Sequence, residues 1–359
     1  MSRHVIALAF CLLPVLASAQ TDQLRFQVET YANRYLDWVD ADSDWGDWER
    51  STDLSVYLRT VDPLPDDAVA YLSVPAQLGL GRRLTLTGLP PGDEGALQDE
   101  LDAMGEDDPE VQTEGDAGDP GLDVPDDDYL TTVHYGDDRP PVVLQGSTWQ
   151  SSELVDDPLV RAKFQQQESI TEAAGNVYWW PDNEVGQAAT LEPGQDLGGT
   201  YLLTADFTGP ARVAVPAGVR ALEAFEWLGP DLDTPFDWGQ PITLRWRTPA
   251  GARAVSIIVQ GQTGDGNNII WTSAQHAPVA LNALDLTGDE ADQLVAAGWL
   301  LAPDADAVTI PAGLFVDCPT ISINLTAWGG GATNSYSNPQ LSIQTRSYLG
   351  VHVMDQPVG

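Results

Sequence analysis

Ile242, Leu244 and Trp246 alternate with Thr243, Arg245 and Arg247, and Leu24, Phe26 and Val28 alternate with Arg25, Gln27 and Glu29. Successive side chains of an extended strand point to opposite faces, so a period of two predicts strands with one buried face. Leu54, Val56 and Leu58 repeat the pattern. Shorter apolar runs predict strands at 69–74, 84–89, 129–134, 141–144, 176–180, 200–206, 211–215, 254–259, 269–272, 279–284, 308–311, 321–327, 341–345 and 349–354. Turn chemistry separates them. Gly264-Asp265-Gly266-Asn267 predicts a hairpin, because Asp-Gly and Gly-Asn accept the positive φ that such turns need. Helices are expected only at 95–104, 159–171 and 289–297. The last has Thr287 as N-cap, Glu290 three residues on to complete a capping box, and Gly298 to end it.

Short strands with turn signals every 8–12 residues or so point to a mainly β chain of one or two β-sandwich domains. A length of 359 residues suits about two domains at roughly 150 residues each. Hydrophobic residues make up 43%, enough for packed cores. The expected organisation is a leader at 1–19, an N-terminal β segment at 20–90, an acidic linker or loop at 91–128, a β-rich domain at 129–218 and a C-terminal sandwich at 219–359. Segment 20–90 is marginal as an independent domain and is free to share one sandwich with 129–218.

Charge narrows the class of partner. There are 54 Asp and Glu against 16 Lys and Arg, a formal net charge of -38. Phosphate backbones and anionic membranes repel such a chain, so no nucleic-acid partner is expected. Residues 91–128 hold 16 of the acids and no Lys or Arg, interleaved with Gly and Pro, the composition of a solvated linker. Adaptation to a saline medium accounts for the general acidity, because salt screens self-repulsion.

Residues 1–20 read as an export signal. Arg3 and His4 precede an apolar run, Val5–Leu16, and Ala17-Ser18-Ala19 supplies small residues for cleavage before Gln20. Twelve residues are too few to span a bilayer as a helix, and no transmembrane span is expected elsewhere. The expected location is therefore secreted, periplasmic or at the cell surface. After cleavage Cys318 is the one cysteine left, so no internal disulfide can form; its apolar neighbours Leu314, Phe315 and Ile321 predict a buried, inert thiol.

One resemblance emerges from residues 195–355. Asp237-Trp238-Gly239-Gln240-Pro241-Ile242-Thr243-Leu244-Arg245-Trp246, followed by the apolar run Ala254–Val259, resembles the opening of bacterial extracellular Ig-like or fibronectin III-like modules. Val308-Thr309-Ile310-Pro311-Ala312 is similar to a later strand of such modules. The resemblance implies a β-sandwich used for display, spacing or adhesion, without a reaction.

Two stretches could bind ligands. Asp40, Asp42 and Asp44, with Asp47 and Glu49 close behind, offer carboxylates at alternate positions beside a glycine. Calcium takes six to eight oxygens, and this run matches the start of an EF-hand-type loop. It departs afterwards: Trp45 stands where glycine is expected and Ser51 where the closing Glu is expected. The other reading is a solvated acidic loop. Trp45 and Trp48, and the cluster Tyr178-Trp179-Trp180, could stack on sugar rings as in a carbohydrate-binding module; the other reading is core packing.

Catalytic motifs are scarce. The sequence has no G-x-S-x-G elbow, no H-E-x-x-H helix and no phosphate loop. His134, His276 and His352 lie far apart. Asn324-Leu325-Thr326 has the form of a glycosylation sequon but falls in a predicted strand, where it is expected to be incidental. The expected function is thus a non-enzymatic surface or envelope protein, structural or adhesive, with calcium as a candidate brace and a protein or polysaccharide as partner. The alternatives are a carbohydrate-binding module and, after it, a hydrolase working through carboxylates.

Overall fold

Alternation at 242–247 and 24–29 is realised as paired strands. The computed structural model describes residues 23–37, 47–60, 68–88, 129–136, 139–145, 152–172, 177–180, 189–279, 281–334 and 339–354. Its strands are β1 (Gln23–Asp37), β2 (Glu49–Arg59), β3 (Ala70–Ser73), β4 (Arg83–Gly88), β5 (Leu130–Tyr135), β6 (Val142–Gln145), β7 (Val177–Trp180), β8 (Ala189–Thr190) and β9 (Gly199–Ala205). They continue as β10 (Ala211–Val215), β11 (Glu226–Gly229), β12 (Ile242–Arg247), β13 (Ala254–Gln262), β14 (Asn268–Thr272), β15 (Ala307–Ile310), β16 (Thr320–Thr333) and β17 (Gln340–Met354). Two α-helices accompany them, α1 (Pro158–Glu172) and α2 (Gly288–Ala296). The protein is mainly β, with sheets packed in a sandwich-like manner. The leader, the acidic segment 91–128 and the helix expected at 95–104 lie outside the described residues. Among the described residues no helix is long and apolar enough to cross a membrane.

One large sheet runs in the order β10-β9-β3-β4-β7-β2-β1-β17-β16-β13-β14-β5-β6, with β8 added beside β2. A second sheet has the order β11-β12-β15. Strand pairing runs across the segment boundaries expected at 91, 129 and 219. Near one end of the chain β1 lies parallel to β17 near the other, with Gln23 opposite Gln340 and Asp37 opposite Met354. β5 likewise runs parallel to β14.

A single face of the large sheet carries two cores. Leu24, Phe26 and Val28 of β1, Leu54, Val56 and Leu58 of β2, and Leu341 and Ile343 of β17 join β3, β4, β9 and β10, which curl over them. Further along the same face, Leu349, Val351 and Val353 of β17 meet β13, β16 and the small sheet, with Leu244 and Trp246 wholly buried. Between the cores the same positions turn polar: Thr30, Thr52, Thr345 and Ser347, all buried. The connection from β10 to β11 crosses this belt, and Thr30 Oγ1 donates to the Leu222 carbonyl at 2.7 Å. The belt gives that backbone its hydrogen-bond partners, and Ala221 and Leu222 fall into the two cores on either side.

Gly329, Gly330 and Gly331 make this passage possible. The register of β16 against β17 shifts between Trp328 and Gly331. A Cβ on Gly329 would strike Thr345 Oγ1, and one on Gly331 would strike the Ile343 carbonyl. The bulge reverses which side chains face inward, so Ala332 packs on the first core although Trp328 points to the other face.

On that other face α1 and α2 form a third core with Ala254, Trp328 and Trp299. α2 has the expected cap: Thr287 Oγ1 accepts from the Glu290 amide and Glu290 accepts from the Thr287 amide. Two expectations need correction. The run 279–284, read as a strand, carries a short 3-10 turn at Leu281–Ala283, whose flanking Val279 and Leu284 are buried in the third core. The runs 341–345 and 349–354 are one strand, because Arg346 and Ser347 between them are buried within the sheet and form no turn.

Candidate functional site

The outward phase of β1 and β17 builds a connected network of ionisable groups. In-register parallel pairing sets Glu29 beside Arg346, Tyr31 beside Tyr348 and Tyr35 beside His352. Antiparallel pairing extends the first row to Trp328 and Ala254 on one side and Asp53 on the other. Opposed residues of neighbouring strands share a face, so these rows lie on the face opposite the two large cores.

Arg346 is 5% exposed and sits at the centre. Its guanidinium pairs with Asp285, donates to the Leu284 carbonyl at 2.9 Å and to Tyr348 OH at 3.0 Å, and lies 4.0 Å from Glu29 Oε1. Arg25 pairs with the other oxygen of Asp285. Glu29 collects donors in turn: Gln27 Nε2 at 2.6 Å, Tyr31 OH at 2.5 Å and Tyr348 OH at 3.0 Å. The Tyr31 and Tyr348 rings are stacked at 5.2 Å. Burial, followed by the neighbouring Glu29 carboxylate, pushes the Tyr31 phenol far above its ordinary range. Tyr348 rises to about 12, chiefly through burial. Both phenols therefore stay protonated at neutral pH and act as donors to Glu29. A buried charge is tolerated when it is paired and hydrogen-bonded, and this network meets that condition.

Beside the network lies a cavity of about 40 Å³ lined by Arg25, Lys163, Asp285, Glu290 and Gln344 among others. Lys163 of α1 pairs with Glu290 of α2 at 2.8 Å. A water needs roughly 10–15 Å³ of such space, so the cavity suits a few waters and is too small for a sugar ring. A larger groove, about 910 Å³, runs between the turns at 216–220 and 250–253, the start of α2 and the glycines of β16. Its lining residues are mostly small, with Arg220, Arg253 and Asp289 the charged ones among them.

The residues singled out in the sequence are placed differently. Asp40, Asp42, Asp44 and Trp45 lie outside the described residues. Asp47 is exposed, and Glu49 is exposed at the first position of β2. Trp48 is half-buried against the second core. Tyr178 and Trp179 are opposite Leu58 and Tyr57 in the β7–β2 ladder. Trp180 is half-buried against the first core. Trp48 and Trp180 thus buttress separate cores. Among the described residues no group of three His, Cys, Asp or Glu is placed to hold a metal.

The histidines are dispersed. His352 stacks on Tyr35 at 4.9 Å, and burial lowers the pKa of both His352 and His134. His276 Nε2 lies 2.9 Å from the Ala297 carbonyl at the end of α2. Thr326 of the sequon is wholly buried and Asn324 half-buried inside β16.

Cys318 is wholly buried, and desolvation pushes its thiol up to about 11. Thiolate is the reactive form. With residues 1–19 removed, so that Cys318 is the one thiol, an alkylating reagent at pH 8 is expected to leave the folded protein unlabelled and to label it once denatured. Stoichiometric labelling of the native protein would contradict this placement.

No family model matches the chain, and no curated protein matches it significantly.

Sequence reading missed the Arg25–Asp285–Arg346–Glu29 network. Arg25, Gln27 and Glu29 form the polar phase of an amphipathic strand, a pattern that ordinarily faces water. The usable signal was the match between two distant segments, Gln27-x-Glu29-x-Tyr31 and Gln344-x-Arg346-x-Tyr348. Parallel pairing places them side by side in register.

Proposed function

We propose that this is an exported, non-enzymatic surface or envelope protein with a structural or adhesive role. One observation carries the reading: the buried charges of the sheet are spent on one another. Arg25, Asp285, Arg346 and Glu29 lock β1, β17 and the loop before α2 together, beside a cavity of only about 40 Å³. Groups used as braces in this way stiffen a scaffold. The leader-like sequence supports export, and the Ig-like resemblance of residues 195–355 supports display or adhesion.

The test is expression of all 359 residues in a bacterial host, followed by fractionation and intact-mass measurement. The expected product begins at Gln20 in the exported fraction. Uncleaved protein confined to the cytosol would overturn export. Turnover in a glycoside and ester screen, abolished by one Asp or Glu substitution in a folded variant, would overturn the non-enzymatic reading. Retention on polysaccharide that Trp48→Ala abolishes would move it to carbohydrate binding.

Calcium at Asp40, Asp42 and Asp44 is the proposed brace of the segment before β2. Ligand at 100 times its Kd stabilises by about 2.7 kcal/mol, a Tm rise of roughly 5–11 °C by the size scaling for 150–250 residues. Calcium against chelator at matched ionic strength is expected to show that rise, and Asp42→Ala to remove it. An unchanged Tm makes the run a solvated loop.

A further inference from the structure

We propose that Tyr31 and Tyr348 form an oxidative modification site, at which a dityrosine bond joins β1 to β17. This goes beyond the structural or adhesive reading and stands without it. In-register parallel pairing makes the two residues direct cross-strand neighbours. Their ring centroids lie 5.2 Å apart and the rings are within 12° of parallel. Both residues are half-buried, so they keep some contact with solvent.

The hydroxyls converge as the rings do. Tyr31 OH donates to Glu29 Oε2 at 2.5 Å and Tyr348 OH to Glu29 Oε1 at 3.0 Å. Both phenols thus point to one carboxylate, which sets the ring carbons ortho to the two hydroxyls at the same end of the stack. Those are the carbons at which tyrosyl radicals couple. Coupling turns the rings out of parallel about the new bond. Their neighbours in the same row, Ser51 on β2 and Thr326 on β16, are too short to block that turn.

The same carboxylate serves the chemistry. Both phenols stay protonated at neutral pH, so each loses its proton as it loses its electron. Such a step needs a base within hydrogen-bond reach, and Glu29 accepts a hydrogen bond from each phenol. The co-reactant is hydrogen peroxide, acting through a one-electron catalyst. Each phenol in turn gives an electron to the catalyst and a proton, by way of Glu29, to solvent. The two radicals pair to form one C–C bond. The hydrogens of the joined carbons then return to the phenol oxygens and restore aromaticity. In balance the protein loses two hydrogen atoms and one peroxide is reduced to two waters.

Position gives the bond its effect. β1 and β17 lie side by side in the middle of the large sheet, although they come from distant parts of the chain. Cys318 is free and buried, so among the described residues no disulfide ties these strands. A cross-link that closes so long a loop restricts the unfolded chain and raises Tm.

The test treats the dilute, purified protein with hydrogen peroxide and a small haem peptide as catalyst. A digest of the monomeric product is expected to contain a linked pair of peptides carrying Tyr31 and Tyr348, lighter by two hydrogen atoms than the sum of its parts. Tyr31→Phe and Tyr348→Phe are each expected to lose that link, and Tyr71→Phe, on β3, to keep it. The parent protein in strong urea is expected to lose it too, which ties the link to the folded pairing without relying on any variant. The linked monomer should melt above the unlinked one. No linked pair in the folded parent, a pair joining other tyrosines in its place, or an equal yield in urea would overturn the proposal.

Discussion

Asp285→Ala is expected to destabilise the protein by about 3–5 kcal/mol, the cost of breaking a buried charge arrangement by removing one member. Asp285 stands between two guanidiniums, Arg25 and Arg346, and binds one with each oxygen. Removing it brings two positive charges together without the carboxylate that separates them. It also removes one of the ties between the loop before α2 and the sheet, leaving the Leu284 carbonyl to hold the loop. At roughly 2–4 °C per kcal/mol, the Tm should fall by about 6–20 °C. The control is Asp292→Ala, which removes an ion pair of the same chemistry with Arg253. Those side chains are 45% and 44% exposed, so solvent screening should hold the loss below about 1 kcal/mol. Chemical denaturation of the two variants beside the parent decides the matter. Equal losses would mean that burial adds nothing to the network.

Strands were legible because their chemistry is local. Ala211–Val215 alternates cleanly, with Ala211, Val213 and Val215 buried, and its bounds follow from the sequence alone. The α2 cap was legible for the same reason, since Thr287 and Glu290 satisfy backbone groups one turn away. Pairing was not local. β1 meets β17 from the far end of the chain, and an alternating strand does not reveal its neighbour. The continuity of β17 was hidden by the same effect. Arg346 falls in the gap left between two predicted strands until Asp285, Tyr348 and Glu29 are seen around it. For Trp48 and Trp180 the sequence left ligand platform and core packing both open, and each leans on a core formed by distant strands, which a local stretch does not reveal. The network was illegible for a further reason: its members come from β1, β17 and the loop before α2, and each taken singly is an ordinary polar position.

Trp328→Ala should be the most damaging single truncation on the helical side of the sheet. Trp328 is wholly buried, and its ring is the floor on which α1 and α2 assemble their core. Loss of a buried Trp side chain costs about 3–5 kcal/mol, through lost burial and the cavity left behind. The position carries a second role. Trp328 Nε1 donates to the Leu284 carbonyl at 2.9 Å, and Arg346 donates to that same oxygen at 2.9 Å. One carbonyl thus ties the third core to the charged network. Trp328→Phe keeps most of the ring volume and leaves Arg346 on the carbonyl, so it should cost nearer 1 kcal/mol, the typical net worth of one hydrogen bond. With Arg346→Met in the same chain both donors are lost, and the buried oxygen bears its full desolvation cost. The double variant should therefore lose more than the sum of the single ones, by about 1 kcal/mol or more. Hydrogen exchange gives an independent reading, with amide protection of α2 falling in Trp328→Ala ahead of that of β1 and β2. Additive losses in the cycle would show that Leu284 does not couple the two sites, and undiminished α2 protection would remove Trp328 as the anchor of the helices.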